Sequence, residues 1–274
     1  CWRLSYLMKV SLCTTSMNRL KFLEQTLPRN LADNSGPDVE FVLLNYNSQD
    51  GMEEWVRDNM MSHIESGLLC YYRESTATHF VPAHSRNVSM RVATGDILCN
   101  VDADNYTGSG FADYLKDVFS RDYGGVTPFA NHPCVFEPVE VGGHGRIALF
   151  KRDFFYLGGY REDLIGWGEE DNDLNRRLFD LSYHRVMIHW RFLKYINHSD
   201  ELRAKYIDFS SLDQVQSDVV ANKRRSRFIN KKKVDQDSHN QHYFRNIGKN
   251  WGKATLVKNF SETIELGNPW IGLT

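Results

Sequence analysis

From residue 9 onward, short apolar runs alternate with apolar positions at helical spacing. Lys9-Val10-Ser11-Leu12-Cys13-Thr14 is a β-rich run. Leu20, Phe22, Leu23 and Leu27 follow with the spacing of one helix face, and Pro28 marks its end or a kink. Glu40-Phe41-Val42-Leu43-Leu44-Asn45 predicts a second strand ending in the turn-forming stretch Asn45–Gly51. Residues 52–61 read as a helix and Leu68-Leu69-Cys70-Tyr71-Tyr72 as a third strand. A helix over Ala83 to Ala93, closed by Gly95, leads into the buried run Ile97-Leu98-Cys99-Asn100-Val101. This alternation predicts an α/β sheet with parallel pairing and right-handed crossovers.

The second half is patterned less regularly. Phe111, Leu115, Val118 and Phe119 mark an amphipathic helix, while Val126-Thr127-Pro128-Phe129 and Arg146-Ile147-Ala148-Leu149-Phe150 read as strands. Residues 130–145, rich in Gly, His and Pro, are expected to form a loop over the site. Leu174, Leu178 and Leu181 define another helix face. Asp171, three residues before Leu174, shares that inward face; Glu170 lies about 100° away around the helix. From about residue 200, Asn, Lys, Arg, Ser and Asp dominate, which predicts a helical C-terminal extension.

The bulk numbers narrow the class. At 274 residues and 41% hydrophobic, the chain can bury one large core, or a core and an appendage. A formal charge of -2 argues against a nucleic-acid binder. No run approaches the roughly 18 apolar residues of a membrane span, and no signal-peptide pattern stands out. Met8-Lys9 reads as a more natural start than Cys1. The cysteines Cys1, Cys13, Cys70, Cys99 and Cys134 are scattered without C-x-x-C spacing, which predicts reduced thiols and a cytoplasmic setting. Four N-x-S/T triplets occur, at Asn87, Asn105, Asn197 and Asn259. A glycan on Asn105 would obstruct the acidic turn directly before it, which points away from the secretory pathway.

That turn, Asp102-Ala103-Asp104, sits where an apolar strand stops. Ligands of open α/β sheets bind outside the carboxyl ends of the strands, and two carboxylates there supply hard oxygens for a divalent cation. Alone, the pair also fits an ordinary acidic turn. A second acidic cluster, Gly166-Trp167-Gly168-Glu169-Glu170-Asp171, strengthens the metal reading. The helix dipole favours the carboxylate form of Asp171, and Trp167 between two glycines offers an aromatic face. Arg86-Asn87, just before the Asp102 strand, is a candidate phosphate contact or an exposed helix face. Residues 223–233 carry seven basic side chains, either a solvated face or a contact for anionic membrane or an acidic acceptor.

Taken in order, Ser11–Arg19, Asn45–Gly51, Arg86-Asn87, Val101–Asp104 and Gly166–Asp171 resemble family 2 glycosyltransferases of the GT-A fold. Phe154-Phe155-Tyr156-Leu157-Gly158-Gly159-Tyr160 through Gly166–Asp173 is similar to the galactosyltransferase C-terminal segment, shared by β-1,4-galactosyltransferases and chondroitin-type polymerases. The resemblance implies a GT-A domain over 8–200, with a nucleotide-binding half at 8–105 and an acceptor half at 106–200, followed by a helical extension at 201–274. It implies inverting transfer of a hexose or N-acetylhexosamine from a nucleotide sugar, with UDP-Gal or UDP-GalNAc as first donors, to a glycan hydroxyl. Asp104 would hold Mn²⁺ or Mg²⁺ on the diphosphate, with Asp102, Thr14, Asn45 and Arg86 around the donor. Asp171 would be the general base; Trp167, Gly168 and Glu170 would contact the sugars. A later histidine often completes the metal site, and His198 in its polar turn is preferred over His189.

The chain also departs from the pattern. Asn45-Tyr46-Asn47-Ser48 replaces the usual acidic stretch after the second strand, and Glu169 stands where galactosyltransferases carry glycine. Two other readings are a sugar-nucleotidyl transferase and a glycan-binding protein without turnover. The first would carry a Gly-rich loop where this chain has Thr14-Thr15-Ser16-Met17-Asn18-Arg19. The intact acids argue against the second.

Overall fold

The computed structural model describes residues 8–124, 127, 129–137 and 145–269. The first half follows the predicted order: β1 (Val10–Ser16), α1 (Leu20–Asp33), β2 (Val39–Tyr46), α2 (Met52–Asn59), α3 (Met61–Glu65), β3 (Leu69–Glu74), α4 (Pro82–Val92) and β4 (Ile97–Asn100). After the acidic turn come β5 (Asn105–Tyr106), α5 (Phe111–Ser120), β6 (Pro133–Phe136), β7 (Ile147–Phe150), α6 (Lys151–Tyr156) and α7 (Glu170–Asp180). β8 (His184–Met187), a 3-10 turn at Trp190–Phe192, β9 (Lys194–Tyr195), α8 (Asp200–Ala204), α9 (Val219–His239), β10 (Ala254–Lys258) and β11 (Glu262–Leu266) complete the chain.

Nine strands form one sheet in the order β11-β10-β3-β2-β1-β4-β7-β6-β8, and β5 pairs with β9 in a second sheet. The centre, β3-β2-β1-β4, is parallel, and β7 and β10 join it antiparallel on either side. β1 and β2 are buried on both faces because helices cover both. On one face Leu23, Leu27 and Leu31 of α1 pack with Val56 of α2 and Phe111 and Leu115 of α5. On the other, Val88 and Met90 of α4 pack with Phe154 of α6, and with Leu174 and Leu178 of α7. Strand order reverses about β1, so the crevice between the carboxyl ends of β1 and β4 is the switch point where such sheets bind ligands. Asp102 follows β4 directly there.

Several expectations needed correction. α1 runs through Pro28, because its buried leucine stripe continues to Leu31 and outweighs the missing N–H. The expected helix over 52–61 is two short helices broken at Met60. The expected loop at 130–145 contains β6, whose Cys134-Val135-Phe136 run pairs with β7 and β8; residues 138–144 lie outside the described residues. So do Val126 and Pro128 of the expected strand Val126–Phe129, and the first seven residues. The 201–274 segment is not only helical. Ala254 and Leu256 point inward from β10, which pairs with β3 and covers an edge that would otherwise expose unpaired backbone groups. The described cysteines Cys13, Cys70, Cys99 and Cys134 are free thiols.

Trp251, fully buried against Phe154 and Phe155 with the Arg91 guanidinium over its ring, ties that C-terminal segment into the core. Trp251→Ala is expected to cost about 3–5 kcal/mol in urea unfolding. A loss below about 1 kcal/mol would mean that residues beyond 250 are only loosely appended.

Candidate active site

The acidic turn is held from below by a polar stripe on α1. Thr26 donates to the Ala103 carbonyl at 2.7 Å, and Asn30 to the Asn105 carbonyl at 2.9 Å while accepting from the Thr107 N–H at 2.8 Å. Asn34 donates to Thr107 Oγ1 at 2.8 Å. These residues are four apart, so one helix face supplies all the partners. The buried Arg146 donates to Asn105 Oδ1 at 2.7 Å and to the Phe192 carbonyl, fixing the far side of the turn. A Cβ on Gly145 would lie 2.5 Å from Asp102 Oδ2, so any larger residue there would have to displace the carboxylate.

Asp104 meets His198 across the cleft, with Oδ2 and Nε2 2.6 Å apart. The hydrogen bond and charge of His198 hold the Asp104 carboxyl below its ordinary value, against the opposing effect of burial. His189 is elsewhere; it caps the 3-10 turn by accepting from the Arg191 N–H.

One guanidinium joins the two acidic clusters. Arg86 on α4 donates from Nη1 to Glu170 Oε1 at 2.8 Å and Asp171 Oδ1 at 2.7 Å, and from Nη2 to Asp102 Oδ1 at 3.2 Å. Both Glu170 and Asp171 therefore turn inward from the first turn of α7, and Glu170 is the more buried. Burial, reinforced by Glu170 and Asp102 and opposed by Arg86, raises the Asp171 carboxyl well above its ordinary value. Among the described residues, Asp171 Oδ2 carries no hydrogen bond. Asp102, Asp104, Arg86, His198, Trp167 and Gly168 all line the same cleft as Glu170 and Asp171.

The Gly166–Asp171 segment is itself held by α9. Asn230, buried, accepts from the Ile165 N–H at 3.0 Å and donates to the carbonyls of Ile165 at 2.8 Å and Gly168 at 2.9 Å. Ser226 Oγ accepts from the Trp167 N–H at 3.1 Å. A Cβ on Gly166, where φ is +59°, would lie 2.9 Å from Ser226 Cβ, so this close approach needs glycine.

Residues 11–130 match the model of glycosyl transferase family 2, and residues 134–199 match that of the N-terminal domain of galactosyltransferase. The chain carries glycosyltransferase-type segments on a GT-A fold. Among solved structures it resembles a mannosyltransferase from Pyrobaculum calidifontis in complex with GDP-Man and Mn²⁺, at 18% identity and TM-score 0.56, covering 85% of this chain and 74% of that one. It also resembles S. aureus TarS 1–349 in complex with UDP-GlcNAc, at 13% identity and TM-score 0.58, covering 81% and 73%. A third is GalNAc-T7 with UDP, GalNAc and Mn²⁺, at 14% identity and TM-score 0.53, covering 70% and 44%. No curated protein matches by sequence.

Two expected donor contacts do not reach the cleft. Thr14 is buried within β1, and its neighbour Thr15 lines the cleft instead, because successive strand residues face opposite sides. Asn45 is fully buried, donating to Tyr71 Oη at 2.9 Å and accepting from the Ser48 N–H at 2.8 Å, so it shapes the turn after β2. Sequence reasoning missed Arg19 and Glu137, which also line the cleft, and the α1 and α9 polar stripes that shape it. The fourfold spacing of Thr26, Asn30 and Asn34, and of Ser226 and Asn230, was the available signal. Glu169 takes the left-handed conformation, φ +75°, a backbone region that favours glycine. Arg227 at 2.9 Å and Asn172 at 3.0 Å hold its carboxylate there.

Asn230→Ala, which strips partners from buried backbone groups, is expected to lower stability by about 1–3 kcal/mol in denaturant unfolding. An unchanged midpoint would remove α9 as the support of the Trp167 loop. Burial pushes the Glu137 carboxyl up to about 7, with Arg146 opposing and Asp102 adding. An acid raised in the folded state binds its proton more tightly when folded, so its contribution is complete below the unfolded value of about 4.3 and is lost as pH rises toward 7. Glu137→Gln should flatten stability against pH across that window; an identical slope in both proteins would contradict this.

Proposed function

We propose that this glycosyltransferase moves a hexose or N-acetylhexosamine from a UDP-sugar to a glycan hydroxyl with inversion, using a divalent cation on the diphosphate. The reading is carried by one observation: the acidic turn at the switch point and Asp171 of α7 face one cleft and share Arg86. Asp104 and His198 supply a hard carboxylate oxygen and an imidazole nitrogen already 2.6 Å apart, a donor pair that suits Mn²⁺. Among the described residues no third His, Cys, Asp or Glu makes a three-ligand cluster with them. Diphosphate oxygens and water would complete the shell, as is usual for nucleotide-bound cations. The cation would neutralise charge on the leaving diphosphate.

The remaining chemistry belongs to the chain's own residues. Arg86 fixes one Asp171 oxygen and leaves Oδ2 to accept the proton of the attacking hydroxyl. Burial makes Asp171 a stronger base than an exposed aspartate. Direct attack from the Asp171 side, opposite the leaving diphosphate, inverts the anomeric carbon. Trp167 offers a face to a sugar ring, Gly168 permits its close approach, and Glu170 orients its hydroxyls. Among the described residues no helix is long and apolar enough to cross a membrane.

A panel of UDP-sugars, headed by UDP-Gal and UDP-GalNAc, should give Mn²⁺-dependent UDP release with a saccharide acceptor. Chelation should abolish it and added Mn²⁺ restore it. Asp171→Asn should lower kcat by about 10²- to 10⁴-fold while nucleotide binding persists. Turnover near wild type in that variant would remove Asp171 as the base.

A further inference from the structure

Part of the cleft wall comes from residues beyond both matched segments, which end at residue 199. Arg203 of α8, and Lys223 and Arg227 of α9, line the same cleft as Trp167 and Gly168. Lys223 Nζ lies 5.0 Å from the centre of a Trp167 ring. The Arg227 stem packs on Gly168, where an added Cβ would be 3.3 Å from Arg227 Cγ.

The charges on this edge do not cancel. Arg227 pairs with Glu169 at 2.9 Å and Lys223 with Asp200 at 2.5 Å. Arg203 has no ion pair among the described residues. The floor of the cleft is the reverse, with Asp102, Glu170 and Asp171 sharing one arginine. A neutral sugar needs stacking surface and hydroxyl partners, but it does not use a surplus of cations beside the stacking tryptophan. An anionic group does, through charge-assisted hydrogen bonds.

We propose that this edge is an anion subsite: the acceptor carries a carboxylate or a phosphate at or beside the sugar that stacks on Trp167, and Arg203 and Lys223 bind it. The assignment of this side to the acceptor rests on the transferase reading above. The subsite gives selectivity for acidic saccharides over neutral ones. The outward residues of α9, Lys231 and Lys232, lie away from the cleft and take no part.

Calorimetry on the intact chain with Mn²⁺ and UDP, which fill the donor side, tests this. The probes are a glucuronate-terminated disaccharide and its methyl ester, and a disaccharide 6-phosphate and its dephosphorylated form. At least one charged probe should bind about tenfold or more tightly than its neutral partner, and the arm that does so tells carboxylate from phosphate. The double variant Arg203→Gln/Lys223→Gln should bring that advantage close to parity, while Lys231→Gln/Lys232→Gln should retain it. Equal binding of charged and neutral probes, no binding by either charged probe, or an equal loss in the outer-face variant overturns the proposal. If UDP and UDP-sugars fail to bind while the Arg203-dependent advantage persists, the subsite stands and the transferase reading falls.

Discussion

Three carboxylates converge on the Arg86 guanidinium, and the cleft depends on that one cation. Asp102 comes from the end of a central strand, and Glu170 and Asp171 come from the start of a helix more than 80 residues after Arg86. Side chains of one sign gathered in a half-buried cleft repel one another and lose hydration. Arg86, itself buried, offsets both effects with a planar fork that a lysine cannot reproduce. Burial still wins at Asp171, whose carboxyl stays well above its ordinary value. The arrangement is therefore poised: charged enough to hold its geometry, yet basic enough at Asp171 to accept a proton.

The surrounding fold reads as support for that contact. Asn87, next to Arg86 on α4, accepts from the Tyr160 N–H at 2.7 Å and donates to the Tyr160 carbonyl at 2.9 Å and to Glu162 at 2.8 Å. Glu162 in turn accepts from the Gly252 N–H at 2.7 Å, which connects the C-terminal segment to the same helix. Behind the first turn of α7, the fully buried Asp173 is held by Arg177 at 2.8 Å and Arg245 at 2.9 Å. Opposite, α1 and Arg146 fix the turn that carries Asp104. Site residues thus sit on rigid elements from both ends of the chain.

The parallel centre of the sheet was legible because β1 to β4 are unbroken apolar runs separated by helical periodicity, and hydrophobic pattern determines such strands. β6 and the β10–β11 hairpin were not, since each is short and set in polar or Gly-rich sequence, and only tertiary pairing makes it a strand. Asp102, Asp104, Glu170 and Asp171 could be singled out by their place after a strand and at a helix start. Their convergence could not be read, because Arg86 looked equally like an exposed helix residue. Thr14 went astray for a simpler reason, since one residue of strand register exchanges the cleft for the core, and Asn45 is spent on the turn after β2. His198 and His189 were separable only once β9 had brought residues 194–199 alongside the acidic turn.

The most direct measurement is urea unfolding of Arg86→Gln as a function of pH. If Arg86 holds the two acidic clusters together, the variant loses about 3–5 kcal/mol at neutral pH, because buried carboxylates are left without a counter-charge. The loss should shrink as pH falls toward 4 and those carboxylates take up protons. A variant as stable as wild type, or one whose deficit does not change with pH, would contradict the account.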